Sequence, residues 1–215
     1  MHTVAVVDYG MGNLRSVVNA LEKVADKRHR ILLSSDVEQL KKADRVVFPG
    51  QGAARDCMRA IAEHALGEAI LDAARQRPFL GICMGMQVLL DHSEENQGSD
   101  CLGAYRGKVR YFGDSHRDAA GVKLKVPHMG WNRVVQKQQH PLWHAIDDGS
   151  RFYFVHSYYA DVEDAALIAG VSDYGFEFTC AIASDNVFAL QCHPEKSATA
   201  GLQLLQNFLN WDGQA

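Results

Sequence analysis

The sequence predicts an α/β fold: an open, mostly parallel twisted sheet with helices on both faces, plus a strand-rich second half. In the first hundred residues, short apolar runs alternate with stretches of helical periodicity, as expected for parallel strands buried on both faces. From about residue 103 to residue 183 the pattern changes to mostly strands. Because no repeat, low-complexity tract or linker interrupts the chain, we expect one domain over residues 1–215.

The first half alternates strands with helices. HTVAVVDYG predicts a buried strand, RILLSS a short one, and ADRVVFPGQG a third that ends at Pro49 and Gly50. The helix between the first two strands has an apolar face at helical spacing, formed by Leu14, Val17, Val18, Leu21 and Val24. A further helix is predicted over about residues 53–75. PFLGIC then predicts a strand, and MGMQVLLDHS predicts the helix that follows it.

The second half contains a series of strand candidates and a closing helix. The strand candidates are GKVRYF, WNRVVQ, RFYFVHSYYA, ALIAGVS, FEFTCAIAS and, last, NVFALQCHPE. The closing helix has an apolar stripe of Leu202, Leu205, Phe208 and Leu209. We expect Ser197 to cap this helix with its hydroxyl group.

Composition excludes several classes of function. A formal net charge of −4 does not favour an electrostatic nucleic-acid binder. The opening segment has no basic lead and no apolar stretch is long enough to span a bilayer, so we expect no signal peptide and no membrane partner. Five cysteines without framework spacing indicate a reducing cytoplasm. His140 and His144 are four residues apart, but Pro141 between them favours a loop, and we expect no metal site.

Cys83 lies between Gly81 and Gly85, at the predicted junction of a strand and a helix. Gly-x-Cys-x-Gly at such a junction is the cysteine form of the nucleophile elbow. The glycines remove Cβ atoms where the chain turns sharply, and a helix N-terminus favours a thiolate. The alternative is that Cys83 is a small buried core residue.

His193 and Glu195 are the candidate base and its orienting acid. His193 directly follows an apolar strand, at the end where α/β sheets bind ligands. Pro194 favours an extended conformation at His193, and residues two apart in extended chain face the same way. Glu195 can therefore orient the imidazole as the acid of a Ser-His-Asp triad does. Alternatively, His193 only ends a strand and Glu195 is a solvated charge.

The segment FPGQG supplies a candidate oxyanion site. Gly50, Gln51 and Gly52 form a glycine-rich turn after a strand, and their backbone N–H groups could point at a bound carbonyl. The amide of Met84 could supply a second donor. The alternative is a simple turn before a helix.

Three segments together, GICMGMQ, PGQG and HPEKS, resemble a class I, triad-type glutamine amidotransferase in their order and spacing, over almost the whole chain. DYGMGNLRSV, PHMGWN and YFVHSYY are similar to the glutaminase subunits of imidazole glycerol phosphate synthases, which act in histidine biosynthesis. PHMGWN discriminates best, because it has no role in the triad yet is typical of that subfamily.

The resemblance implies a glutaminase that hydrolyses glutamine to glutamate and releases ammonia. It implies that Cys83 attacks the side-chain amide, that His193 relays protons, and that Glu195 holds His193. In the family, an oxyanion strand corresponds to the Gly50–Gly52 turn, but its commoner sequence has valine where this chain has Gln51. This departure concerns the side chain, whereas the backbone is the group that acts.

The resemblance also implies residues for the substrate and for a partner. Gln87 would bind the α-amino or carboxylate end of glutamine, and Glu95, Ser157 and Tyr158 would line the same pocket. At the partner-facing surface the matching positions are Asn13, Trp131 and Lys196. The implied partner is a separate (β/α)₈-barrel cyclase subunit that uses the ammonia, in a heterodimer, with no metal or organic cofactor for the glutaminase step.

Two other classes of function remain open. The chain could be a different hydrolase, such as a free γ-glutamyl hydrolase or an amidotransferase that serves another synthase, and PHMGWN argues against this. It could also be a non-catalytic binding module, and the complete set of Cys83, His193 and Glu195 argues against that.

Overall fold

The computed structural model describes residues 1–117 and 120–214. The elements of the first half are, in chain order, β1 (His2–Val7), α1 (Leu14–Val24), β2 (His29–Ser34), α2 (Val37–Lys42), β3 (Arg45–Gly50), α3 (Ala54–Glu63), α4 (Gly67–Gln76), β4 (Phe79–Cys83) and α5 (Met84–Gln87).

Mostly strands follow, as the sequence predicts. They are β5 (His92–Ser93), β6 (Ser99–Asp100), β7 (Gly107–Tyr111), β8 (His128–Arg133), β9 (Val135–Gln136), β10 (Arg151–His156), β11 (Tyr158–Val162), β12 (Ile168–Asp173), β13 (Glu177–Ser184) and β14 (Val187–Leu190), before α6 (Ala198–Asn210). Short 3₁₀ helices occupy Glu95–Gln97, Pro141–Trp143, Ala165–Leu167 and Pro194–Lys196.

One long sheet joins both halves of the chain. Parallel strands form its first part, in the order β2-β1-β3-β4-β14. The sheet continues through β13, β11 and β7 in antiparallel pairings, and β8 pairs with β10 in a separate antiparallel sheet. The predicted α/β class, with a parallel sheet and a strand-rich second half, is confirmed.

Helices cover both faces of the parallel strands. Along β1, Val4 and Val6 belong to one apolar cluster, whereas Ala5 and Val7 belong to another, because successive side chains of a strand point to opposite faces. The first cluster contains the buried apolar side chains of α1 and α6, and the second contains those of α2, α3 and α4. Strands buried on both faces explain the continuous apolar runs of the sequence.

The helix predicted over residues 53–75 is in fact two helices, α3 and α4. Ala65 between them has φ +52°, a left-handed value that a right-handed helix cannot accommodate. The apolar periodicity continues on both sides of this break, so the sequence pattern does not reveal it.

MGMQVLLDHS is not one helix. α5 ends at Gln87, and His92–Ser93 forms β5. The carbonyl groups of residues 88–90 accept hydrogen bonds from the backbone N–H groups of Leu102, Tyr105 and Gly103 rather than from a next helical turn. This distant segment therefore ends the helix, and the local apolar run could not indicate it.

Other boundaries also differ from the predictions. RFYFVHSYYA divides at Ser157 into β10 and β11, which belong to different sheets, and WNRVVQ divides between β8 and β9. α2 was not predicted, since six residues are too few for a periodic pattern. The Asp36 side chain caps α2 by accepting from the N–H of Glu38 at 2.8 Å.

Ser197 does not cap α6 with its side chain, contrary to the prediction. Its hydroxyl group donates to the carbonyl of His193 at 2.6 Å and accepts from the backbone N–H of Tyr153 at 2.9 Å. The Ser197 side chain therefore ties the turn that contains His193 to strand β10.

The described residues contain no helix that is both long and apolar enough to cross a membrane. Within the same residues no group of three or more His, Cys, Asp and Glu side chains is placed to hold a metal ion. His140 precedes a single 3₁₀ turn, and its Nδ1 accepts from the N–H of Leu142 at 3.1 Å.

Candidate active site

Cys83 is the last residue of β4 and leads directly into α5. Its backbone has φ +55° and ψ −108°, a sparsely populated conformation that persists only where the surroundings enforce it. A Cβ atom at Gly85 would lie 1.8 Å from the carbonyl oxygen of Phe48, and one at Gly81 would lie 2.8 Å from the Cβ of Ala189. The two glycines therefore allow neighbouring strands to pack against the sharp turn that presents Cys83.

The neighbours of β4 bring the other predicted residues to the same edge of the sheet. In β3, Gly50 is paired with Cys83, so the turn over residues 50–52 begins beside the backbone of Cys83. On the other side, β14 ends at Leu190 and the chain continues to His193. The carboxyl ends of adjacent parallel strands thus assemble the site, as is general for α/β sheets.

His193 and Glu195 form a buried pair. Nδ1 of His193 lies 2.8 Å from Oε1 of Glu195, and the two side chains are 7% and 2% exposed. Nε2 of His193 has no hydrogen-bond partner among the described residues. This nitrogen is consequently available to exchange a proton with the Cys83 thiol or with a bound ligand.

Opposed effects set the pKa of His193. Burial alone would lower it, but the nearby Cys83 and the hydrogen-bonded Glu195 raise it to about 10. The imidazolium form is therefore favoured at neutral pH.

A cavity of about 560 Å³ opens in front of Cys83 and His193. It is lined by most of the predicted residues, namely Gln51, Gly52, Cys83, Met84, Gln87, Glu95, Ser157, Tyr158 and His193. The lining also includes Gly10, Met11, Gly12, Pro127, Val155 and His156, which the sequence analysis did not assign to the pocket. Gly50 and Glu195 are not part of the lining. Gly50 precedes Gln51, and Glu195 is hydrogen-bonded to His193.

Tyr9 supports the turn over residues 50–52 from beneath. Its hydroxyl group donates to the carbonyl of Pro49 at 3.0 Å, and a Cβ atom at Gly50 would lie 2.2 Å from that hydroxyl. Burial, together with the nearby Cys57, raises the pKa of Tyr9, so its hydroxyl remains a donor. Gly52 has φ +94°, a value that favours glycine.

Glu95, in the cavity lining, is hydrogen-bonded to the start of the helix that follows this turn. Its Oε2 accepts from the backbone N–H of Ala54 at 2.8 Å, and Ala54 is the first residue of α3. A carboxylate at a helix N-terminus satisfies one of the free N–H groups there.

Gln191 is a site residue that the sequence analysis missed. Its Nε2 donates to Sγ of Cys83 at 3.5 Å, and its Oε1 accepts from Nε2 of Gln87 at 2.8 Å. Gln191 precedes His193 by two residues at the end of a strand, and this spacing could have indicated that both side chains face the site.

The predicted partner-surface residues Trp131 and Lys196 lie together around Tyr153, which was not predicted. The Trp131 and Tyr153 ring centroids are 6.1 Å apart, and Nζ of Lys196 lies 5.9 Å from the Tyr153 ring centroid. Trp131 is 49% exposed. Asn13 is also exposed, at the start of α1.

A parallel sheet that holds a cysteine elbow beside a buried His-Glu pair is the arrangement that the sequence analysis expects of a class I glutamine amidotransferase. The family model for class-I glutamine amidotransferases matches residues 5–211, and the chain belongs to this family. The subunit HisH of imidazole glycerol phosphate synthase from Thiobacillus denitrificans is 59% identical over 210 residues, which cover 97% of this chain and 91% of that protein.

Further relatives and solved structures agree with this assignment. The subunit HisH 1 of the same synthase from Pseudomonas aeruginosa is 56% identical over 215 residues, covering 100% of this chain and 99% of that protein. PurLQS from Thermotoga maritima has a TM-score of 0.70 at 21% identity, with 97% and 98% coverage. The glutaminase domain of Trypanosoma brucei CTPS, with acivicin bound, has a TM-score of 0.64 at 19% identity, with 99% and 95% coverage. These two structures support the fold.

Proposed function

We propose that this chain hydrolyses glutamine to glutamate and supplies the ammonia to a separate cyclase subunit, as the glutaminase subunit of an imidazole glycerol phosphate synthase in histidine biosynthesis. The observation that carries the proposal is the placement of Cys83 and the His193–Glu195 pair at one mouth of a cavity. Full-length similarity to HisH subunits supports the choice of synthase.

Cys83 and His193 would perform the first half of the reaction. The thiolate of Cys83 attacks the side-chain amide carbon of glutamine, and the carbonyl oxygen becomes an oxyanion. Backbone N–H groups of the Gly50-Gln51-Gly52 turn and of Met84 stabilise this charge. The C–N bond then breaks as Nε2 of His193 gives its proton to the nitrogen, so ammonia leaves and a γ-glutamyl thioester remains.

Hydrolysis of the thioester would complete the cycle. The now neutral His193 takes a proton from water, and the resulting hydroxide equivalent attacks the thioester carbon. The C–S bond breaks and restores the thiolate, His193 keeps the proton from water as imidazolium, and the new γ-carboxyl group loses its proton to solvent as glutamate leaves. Throughout, Glu195 holds Nδ1 of His193 and stabilises its positive charge. Gln87, Glu95, Ser157 and Tyr158 would hold the amino-acid end of glutamine in the cavity.

The proposed partner is a (β/α)₈-barrel cyclase that forms a heterodimer with this chain in the cytoplasm. Asn13, Trp131 and Lys196 would face it, because all three are exposed and Lys196 directly follows Glu195 in the chain. We treat residues 1–215 as one domain, since β14 from the end of the chain pairs with β4 from the first half.

Replacement of the nucleophile tests this function. In a complex with the cyclase, we expect Cys83→Ala to abolish synthesis that depends on glutamine and to leave synthesis from ammonium salts intact. Cys101→Ala is the matched control, because Cys101 is another free cysteine and lies outside the cavity lining. Formation of imidazole glycerol phosphate is measured with each nitrogen source. Undiminished use of glutamine by the Cys83→Ala complex would contradict the proposal.

A further inference from the structure

The carbonyl oxygen of Tyr158 joins two hydrogen-bonded chains of buried side chains. It accepts from Nε2 of Gln87 at 3.1 Å and from Nδ1 of His156 at 2.8 Å. A carbonyl group can only accept, and these two bonds use both of its lone pairs. The donor atoms of Gln87 and His156 are therefore fixed by chemistry as well as by position.

The first chain leads from Tyr158 to the nucleophile. Because Gln87 presents its nitrogen to Tyr158, the second hydrogen of that nitrogen donates to Oε1 of Gln191. Gln191 must then present its own nitrogen to Sγ of Cys83. A flipped Gln191 amide would place two NH₂ groups against each other and an oxygen against the sulfur. Gln191 is fully buried and Gln87 is 3% exposed, so water cannot compensate for a flip.

The second chain leads from Tyr158 to strand β8. With its Nδ1 proton on Tyr158, a neutral His156 accepts at Nε2 from Nδ1 of His128, at 2.9 Å. His128 in turn accepts at Nε2 from Nδ2 of Asn132, at 3.3 Å, and the same nitrogen donates to the carbonyl of Asp173 at 2.7 Å. A backbone carbonyl thus fixes each end of the chain.

Both rings of this chain are neutral at physiological pH. Burial lowers the pKa of His128 to about 4 and that of His156 to about 3. His128 is stacked between the rings of Tyr174 and Phe154, with centroid distances of 4.1 and 5.0 Å. A neutral imidazole has one donor and one acceptor. Each ring can therefore accept one hydrogen bond and donate the next, so that all the bonds run in the same direction.

We propose that Gln191 is a positioning residue for the nucleophile: its amide is held in the donating orientation by Gln87 and the Tyr158 carbonyl, and it restrains and stabilises the Cys83 thiolate. As a part of catalysis this inference rests on the proposed glutaminase function, whereas the contact with sulfur does not. Hydrogen bonds to a charged acceptor are stronger than those to a neutral one, so the donor favours the reactive form of Cys83.

Alkylation of Cys83 by iodoacetamide tests the contact without any turnover. Its rate is followed against pH on the Cys83 peptide by mass spectrometry, for the full chain and two variants. Gln191→Met removes the donor at similar size, and Gln191→Glu keeps an acceptor for Gln87 while removing the amide donor. For both we expect alkylation at neutral pH to slow about tenfold or more, with the midpoint of the pH profile displaced upward.

Gln136→Met is the matched control, because Nε2 of Gln136 also donates to a single acceptor, the carbonyl of Ile146 at 2.9 Å, outside the cavity lining. We expect its Cys83 profile to match that of the unaltered chain. In the complex with the cyclase, Gln191→Glu should lower kcat for glutamine about tenfold or more while KM changes by less than about threefold, since the proposed substrate contacts remain.

Two outcomes would overturn the proposal: an unchanged Cys83 profile in folded Gln191 variants, or an equal change in Gln136→Met. If Gln191→Met does not fold, an unchanged profile in Gln191→Glu is sufficient to overturn the proposal, because that variant retains the bond to Gln87 and also places a carboxylate beside the sulfur. The two proposals fail separately. A displaced alkylation profile in a chain whose unaltered complex does not hydrolyse glutamine would support the contact and contradict the glutaminase function.

Discussion

His193 is the residue on which burial and charge act in opposite directions. Burial would make the imidazole neutral, but Glu195 on one side and Cys83 on the other favour the cation and raise the pKa of His193 to about 10. An imidazolium between a carboxylate and a sulfur is suited to give a proton to a leaving amine. The exposed fraction of the Glu195 side chain is only 2%, so solvent screens this pair little.

The His193–Glu195 pair makes a pH-dependent contribution to stability. Because folding raises the pKa of His193 from 6.5 to about 10, this contribution is complete below pH 6.5 and is lost as the pH rises through about 10. We expect the free energy of unfolding of the native chain to exceed that of Glu195→Gln most at pH 6.5, and the difference to shrink toward pH 10. Urea unfolding at a series of pH values measures it.

Glu177→Gln is the control for this measurement, because Glu177 pairs with Lys137 at 3.3 Å on the surface, with 61% of its side chain exposed. Its effect on the free energy of unfolding should be small, within about 1 kcal/mol, and nearly constant over the same range. A difference between the native chain and Glu195→Gln that does not change with pH would contradict the role of this pair.

Motifs are sufficient to propose the reactive residues, but not the residues that support them. Cys83, His193 and Glu195 each belong to a short pattern at a strand end, so local sequence is sufficient to propose them. Gln191 depends on Gln87, which lies 104 positions earlier in the chain. Such a contact is decided by the pairing of β4 with β14, and no local pattern contains it.

At the scale of elements, the turn from β4 into α5 presents Cys83, the proposed nucleophile, at the end of the strand. Boundaries set by distant partners, such as the end of α5 at Gln87, were predicted wrongly, because backbone groups of residues 102–105 take the bonds that would continue the helix. The elbow itself was predicted, because its two glycines on either side of Cys83 are visible in the sequence. A close approach that only glycine permits requires glycine at that one position, even when the approaching atom belongs to a residue far away in the sequence.

Gly85→Ala should destabilise the chain strongly. The new Cβ would lie 1.8 Å from the carbonyl oxygen of Phe48, so β3 and α5 must separate. We expect a loss of about 3 kcal/mol in the free energy of unfolding, or a fall of about 10 °C in Tm, with loss of glutamine hydrolysis.

Gly67→Ala is the matched control, since Gly67 begins α4 and the new Cβ would lie 3.8 Å from its nearest neighbour, Cγ2 of Ile61. We expect it to be neutral or stabilising by up to about 1 kcal/mol. Thermal unfolding followed by circular dichroism compares the two variants. Equal Tm values would show that the elbow tolerates a side chain at position 85.

For the whole molecule, the two parts of the fold have different tasks. The parallel strands place the proposed nucleophile, the proposed base and the turn over residues 50–52 at one edge. The antiparallel part and the β8–β10 pair supply further residues around the cavity and on the surface. Tyr158 lines the cavity, and Trp131 is on the exposed surface. The class of fold was predictable from periodicity alone, whereas the contact between these parts required the three-dimensional pairing of strands.

The last prediction concerns control of the whole enzyme by its partner. Free glutaminase activity would release ammonia without an acceptor, so we expect the isolated chain to hydrolyse glutamine slowly and the ligand-bound cyclase to raise the rate by orders of magnitude. The triad is a poor place for this control, because the His193–Glu195 pair is buried and already hydrogen-bonded. The turn over residues 50–52 is better suited, since glycine on both sides of Gln51 lowers the cost of rotating a peptide.

Only one orientation of that peptide directs an N–H into the cavity, and one such donor contributes about 10²–10³ in rate. Gln51→Pro has no N–H, so it should lose most of the stimulated rate while still binding the cyclase. Gln51→Val also replaces the side chain but keeps the N–H, so it should remain stimulated. Glutamine hydrolysis is measured with and without cyclase and its ligand, and assembly by size-exclusion chromatography. A Gln51→Pro complex that assembles and is fully stimulated would exclude the Gln51 N–H as the controlled donor.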